Sequence, residues 1–366
     1  MSPAFSSRRQ ALAFAGLLAV LLALPALIAR AGVLKRSDVY PTIAWKYGPF
    51  PWIQQQIFDK KGDVDMAFLG SSHILFDIDT PYVQEKLSQQ LGRDADVFTL
   101  GWPWPGFDAL YTVARDLLDH RHVHTLVIYD EGGIDGGGLD LPHEHSSRWF
   151  RMGENSEVLD GLPLVSQARL YGGAVLGMPR HLLSLVRPNL LEDPRHARPN
   201  FWNTYYRAPN LAYYRGAMRA HLAYGISPDF VPFQPPSTST PDDAVIYSPD
   251  TLSAFQFAGL PTKPYALHFA RALARLCAER GTQLIVLHLP SLIDTTDSAV
   301  HERENWQQVL GAPVEMMGIP PAKLFAGIPA SDLKKLFFDD AHLNMNGQQM
   351  FTPLITPALL KLYASH

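Results

Sequence analysis

Short apolar runs alternate with amphipathic helical stretches along most of this chain, and that alternation is what most restricts its fold. "DVDMAFLG" (63–70), "ADVFTLG" (95–101), "VHTLVIY" (123–129) and "TQLIVLHLP" (282–290) have strand length and end on turn or polar residues. Between them, "PYVQEKLSQQLG" (81–92) sets Tyr82, Val83, Leu87 and Leu91 at helical spacing and stops on Gly92. "GFDALYTVARDLLDHR" (106–121) and "YALHFARALARLCAERG" (265–281) repeat the helical pattern. Strand and helix in this rhythm predict βαβ units: an α/β protein with a parallel sheet and helices on both faces, the three-layer αβα arrangement. The rhythm lapses between about 134 and 250, a span rich in Gly, Pro, His and aromatic residues that reads as an insertion or lid. It resumes with the helix over 264–280, a helix near 299–310, a weak strand in "PVEMMGI" and a last helix in "NGQQMFTPLITPALLKLYAS".

The N-terminus is of a different kind. Arg8 and Arg9 precede an apolar run from Ala11 to Ala29, interrupted by Pro25 and long enough to span a bilayer as a helix. A secretory signal peptide has a shorter apolar core, so the run reads as an uncleaved anchor. Ala29 and Ala31 also form an A-x-A cleavage pattern, and "SSRRQAL" has the look of a twin-arginine signal, so cleavage and secretion is the second reading. Both place the rest of the chain outside the cytoplasm, on the periplasmic side. The organisation expected is an anchor or signal at 1–31, a connector at 32–60 and one catalytic domain at 61–366 carrying the insertion. Tyr40, Trp45 and Tyr47 in the connector are candidates for the membrane interface. A net charge of −4 and a pI near 6.4 exclude a basic nucleic-acid-binding surface. The one cysteine, Cys277, lies on the apolar face of a helix and reads as core.

Open parallel sheets bind ligands beyond the carboxyl ends of their strands. The first strand here ends in Gly70-Ser71-Ser72-His73, the second in Gly101, and "LFFDDAHLNMNG" forms a polar loop before the last helix. A serine nucleophile needs a base within hydrogen-bonding reach and a third group to orient that base. Asp339 and His342, three residues apart, can supply base and orienter from one loop, and a strand-end serine on the same sheet edge completes the set. A serine opening a helix offers its own N–H to a tetrahedral intermediate, and Gly101 on the neighbouring strand offers another.

These blocks resemble the SGNH (GDSL-like) hydrolase superfamily. "FLGSSH" is similar to the family's opening Gly-Asp-Ser block, with Ser72 at the nucleophile position and Ser71 where the family has aspartate. Asp339-Asp340-Ala341-His342 is similar to its closing Asp-x-x-His, with His342 as base and Asp339 as orienter, and Gly101 matches the oxyanion glycine of the second block. The resemblance covers about 60–133 and 264–362, and implies a flavodoxin-like αβα fold and ester hydrolysis or O-acyl transfer without metal or cofactor. "GSSH" with "HLN..G" looks most like membrane-anchored members acting on cell-envelope polymers, of the alginate O-acetylation and teichoic acid D-alanylation kinds. Acylated carbohydrate or envelope polymer is then the implied substrate, and a membrane acyltransferase an implied partner. The third strand ends in "YDEGGID", without the asparagine of the family's Gly-x-Asn-Asp block, so a third oxyanion donor is unassigned.

Other readings of the same residues remain. "GSSH" taken alone is a helix cap, Ser71 is the other candidate nucleophile, and Asp340 the other orienter. His73 either lines the pocket or is structural. His143, Glu144 and His145 lack a metal-ligand framework. Trp202, Tyr205, Tyr206, Tyr213 and Tyr214 read as lid packing before a sugar platform. "GWPWPGF", adjoining Gly101, has the better claim to line the site. A non-catalytic, glycan-binding accessory protein of an acylation system, on the same fold, is the rival function.

Overall fold

The computed structural model describes residues 5, 7–32, 35–42, 50–102, 106–129, 156–186, 232–247, 263–292, 306–337 and 339–366. The first helix, α1 (Arg8–Arg30), is followed by a 3₁₀ turn (Arg36–Thr42) and by α2 (Phe50–Gln54), which runs on as a π turn to Asp59. Then come β1 (Val64–Gly70), α3 (Ser72–Asp77), α4 (Thr80–Leu91), β2 (Val97–Gly101), α5 (Phe107–His120) and β3 (Val123–Tyr129). The described remainder holds α6 (Leu164–Val186), β4 (Val245–Tyr247), α7 (Pro264–Glu279), β5 (Gln283–Leu287), α8 (Trp306–Leu310) and β6 (Glu315–Gly318). Two short helices, α9 (Pro321–Leu324) and α10 (Ala330–Leu333), lead to the long C-terminal α11 (Met345–Ala364).

The six strands form one sheet in the order β2-β1-β3-β5-β6-β4, all parallel except β4, which pairs antiparallel with β6. The expected α/β architecture is therefore present. Side chains alternate across the sheet as pleating requires. Ala67 and Leu69 of β1, Leu126 and Ile128 of β3, and Leu284 and Val286 of β5 pack into one core with α5 and α7. Met66 and Phe68, Val127, and Ile285 and Leu287 face the other, with α4 and α11. Burial on both faces is why these strands read as nearly continuous apolar runs. Cys277 is buried in the first core, as expected. α4 stops at Gly92, whose φ of +65° is left-handed and favours glycine.

The structure differs from the sequence reading at three places. Tyr40 is not interfacial: it is buried, its hydroxyl donates to Asp116 over 2.6 Å, and Arg36 pairs with the same carboxylate at 2.9 Å. The connector is thereby fixed to α5; Trp52 is also buried and donates its indole N–H to Thr99 O. Trp45 and Tyr47 lie outside the described residues. Second, the span read as an insertion contributes β4 to the sheet edge; three residues are too few for a period of two to show. Third, α1 forms over 23 residues with Leu12, Phe14, Leu17, Leu21 and Leu24 exposed. The side chains of Pro25, Ala26 and Ala29 are outside the described set, and within that set no helix is long and apolar enough to cross a membrane.

The amino end of β1 is tied to the last helix through Asp65. Its carboxylate accepts from Arg93 at 2.5 and 2.9 Å, from the Asp96 N–H at 2.8 Å and from the Tyr363 hydroxyl at 2.8 Å. Tyr363→Phe removes one donor from a buried carboxylate and is expected to cost about 1–2 kcal/mol of unfolding free energy in a urea titration. Any ester turnover should be untouched, because the change lies at the opposite end of the strand from Gly70.

Candidate active site

Gly70 and Gly101 are register partners at the carboxyl ends of β1 and β2. A Cβ on Gly70 would stand 3.1 Å from the Tyr129 ring and 3.2 Å from Ile74; one on Gly101 would stand 3.0 Å from Leu75. Two adjacent strand ends without side chains thus let α3 settle directly over the sheet edge. This is one physical reason the strand ends in "GSSH". Ser72 opens that helix, partly exposed, while Ser71 is buried.

Ser71 occupies the N-cap position of α3, but not with its side chain. Its side chain makes no capping hydrogen bond; the Oγ lies 2.6 Å from the Tyr129 hydroxyl at the end of β3. Ser72 Oγ instead lies 2.7 Å from His342 Nε2. On the far side of the ring, Nδ1 is 2.9 Å from each Asp339 oxygen. Asp339 Oδ1 also accepts the backbone N–H groups of Ala341 and His342, each at 2.8 Å. The three-residue spacing is what allows one carboxylate to hold both the turn and the imidazole. Asp340 is exposed and no side-chain bond joins it to the ring among the described contacts.

Partial burial by itself raises the Asp339 carboxyl, but the His342 ring and the two backbone N–H groups outweigh it and hold the group well below its ordinary value. Asp339 is therefore a carboxylate and an acceptor. Nδ1 then carries the donated hydrogen, and the Nε2 lone pair faces the Ser72 hydroxyl. A hydroxyl, an imidazole and an ionised carboxylate in this line can deprotonate the serine as it attacks a carbonyl.

The loop bearing His342 is held from both sides. Asn344 caps α11, accepting from the N–H groups of Asn346 and Gly347 at 2.8 and 3.3 Å, and its amide donates to Lys335 O and Phe337 O. A side chain at Gly347 would run into the Leu336 carbonyl, so "HLNMNG" has a packing reason for its glycine. From the Ser72 side, Asp77 Oδ1 accepts the Leu343 N–H at 2.8 Å, Gln348 donates to Phe76 O at 2.9 Å, and the Asp79 N–H donates to Thr352 Oγ1 at 2.9 Å.

Asp77, Tyr129 and Asn344 are the residues that the sequence reading did not single out. Asp77 left one trace, a carboxylate inside the apolar stretch "ILFDID". Of the expected site residues, Ser72, His342 and Asp339 come together, and Gly101 sits beside Gly70. Trp102 is fully buried and its backbone N–H donates to Gly70 O at 3.1 Å, so this part of "GWPWPGF" packs inward. His143, Glu144, His145 and the aromatic run from Trp202 to Tyr214 lie outside the described residues. No protein-family model matches the chain, and no curated protein matches it either.

The lowered Asp339 carboxyl fixes the sign of a pH effect. The folded chain binds that proton less readily than the unfolded chain, so the carboxylate stabilises the fold above its ordinary value of 3.8. That contribution is lost as pH falls below it. In urea titrations the wild-type chain should be more stable than Asp339→Asn near neutral pH, with the difference shrinking below about pH 4. A difference that stays constant with pH would contradict the assignment of charge.

Proposed function

We propose that the chain is an SGNH-type serine hydrolase of the flavodoxin-like αβα kind, an esterase or O-acyltransferase with Ser72, His342 and Asp339 as its triad. The observation that carries this reading is the hydrogen-bonded line from Ser72 Oγ through the His342 ring to Asp339, closed between segments 270 residues apart. The strand order supports it, since the five parallel strands run β2-β1-β3-β5-β6, the flavodoxin-like order with β4 added at the edge.

In the proposed reaction His342 Nε2 takes the Ser72 proton as Oγ bonds to the acyl carbon of an ester. The carbonyl electron pair moves onto oxygen, and the N–H groups of Ser72 and Gly101 are the proposed donors to that oxyanion. Collapse expels the alcohol, which receives the proton from His342, and leaves an acyl-serine. Water, activated by the same imidazole, completes hydrolysis; a sugar hydroxyl in its place completes transfer. No cofactor takes part. An accessory, non-catalytic role has no need of a serine hydroxyl held against a carboxylate-oriented imidazole, so the geometry favours the enzyme.

The same reading sets this chemistry outside the cytoplasm, on acyl groups of a polysaccharide or other envelope glycan, in company with a membrane acyltransferase where acyl groups are being delivered. What supports the membrane part is the sequence alone: the apolar run from Ala11 to Ala29, which includes Pro25, Ala26 and Ala29 outside the described side chains, has the length of a bilayer span. The resemblance of "GSSH" and "HLN..G" to envelope-acting members supports the substrate class.

A fluorophosphonate probe applied to the full chain in detergent should label one serine, and acetyl-ester turnover should accompany labelling. Ser72→Ala is expected to abolish both. Ser71→Ala should leave the nucleophile in place and lose at most the support from Tyr129. Labelling that persists in Ser72→Ala but disappears in Ser71→Ala would move the nucleophile by one residue. Turnover indifferent to both substitutions would end the enzymatic reading.

A further inference from the structure

We infer that His73, tethered to the buried carboxylate of Asp77, is a positioning residue that holds the His342 ring in the plane shared by Ser72 and Asp339. The inference rests on the proposed triad and adds to it a residue that the hydrolase resemblance does not assign. The His73 and His342 rings are stacked, with centroids 4.4 Å apart and planes 26° from parallel. Phe76 meets His342 edge-on at 5.6 Å, and the Tyr129 ring lies 5.2 Å from His73. The imidazole of His342 is thus flanked by one ring face and one ring edge, both from α3. Its hydrogen bonds to Ser72 and Asp339 fix where the ring points in its own plane; the stack opposes tilting out of it.

What makes His73 a firm surface is Asp77, one helical turn further along α3. Its Oδ2 is 3.3 Å from His73 Nδ1 and its side chain is completely buried. The other oxygen accepts the Leu343 N–H. A single carboxyl therefore grips both the ring stacked on His342 and the backbone immediately after His342. Burial drives this carboxyl well above its ordinary value, with Asp339 adding to the rise and His342 and the Leu343 N–H opposing it. A proton shared between Asp77 and His73 gives a pair without net charge, whichever partner holds it. Such a pair can lie at stacking distance from the imidazolium formed when His342 takes the serine proton, where a second cation would oppose that charge.

The test compares His73→Ala, which removes the stack and the tether, with His73→Phe, which keeps a flat ring. Acetyl-ester kinetics, the thermal midpoint and the ¹⁵N-imidazole spectrum of His342 are recorded on the full chain in detergent. His73→Ala is expected to lower kcat by about 10- to 100-fold with KM unchanged, the scale of loss for a misplaced catalytic group. The His342 spectrum should move from one Nδ1–H tautomer to a mixture, and His73→Phe should recover part of both effects. Unchanged kcat with an unchanged spectrum would overturn the inference. So would a raised KM at constant kcat, which would make His73 a substrate contact, or a loss in His73→Ala that follows a fallen thermal midpoint and is absent from His73→Phe. If the wild-type chain itself shows no turnover and no probe labelling, the triad reading fails; the spectrum still decides whether His73 orders the ring.

Discussion

One hydrogen bond, from the Leu343 N–H to the buried Asp77 carboxyl, joins the two ends of this site. Ser72 belongs to the first βα unit and His342 to the loop before the last helix, so nothing local in the chain keeps them together. Parallel pairing brings both to one sheet edge, but sheet geometry alone leaves a loop free by more than the tolerance of a hydrogen bond. The Asp77 contact, with those of Gln348 to Phe76 and Thr352 to Asp79, turns a shared edge into a fixed distance. Burying a carboxyl is unfavourable unless its oxygens are engaged. Both oxygens of Asp77 are engaged, one by backbone and one by His73.

How much of this was legible in the sequence follows from how local each feature is. β1, β3 and β5 are buried on both faces, so their apolar runs announce them, and Gly92 announces the end of α4. β4 has no such signature, since an edge strand of three residues is specified by its partner β6. Ser72, Asp339 and His342 were legible because nucleophile and base recur at strand ends and Asp-x-x-His is a local device. "GSSH" taken alone reads as a cap because a Ser before a short helix usually is one; only the fold reveals the Tyr129 hydroxyl beside Ser71. Asp77 was silent for the same reason. A carboxylate five residues beyond the nucleophile looks like a solvated helix end until α11 closes over it.

Tyr40 shows the opposite error. Aromatics after an apolar N-terminal run invite an interfacial reading, yet Tyr40 and Arg36 converge on Asp116 of α5. Arg36 and Tyr40 are thus part of the folded body.

Two carboxyl groups sit close to one imidazole, and their environments drive them in opposite directions. Asp339 is half-exposed and receives three donors on one oxygen, so its proton is lost readily and it stands as a fixed negative charge. Asp77 is fully enclosed and its carboxyl is driven upward. Separation of this kind divides labour between like groups. In the proposed chemistry the charge that appears on His342 during attack needs one counter-charge in the ring plane, where Asp339 lies. Burial of Asp77, which drives its carboxyl upward toward the neutral form, lets the face of the ring be packed without a second charge.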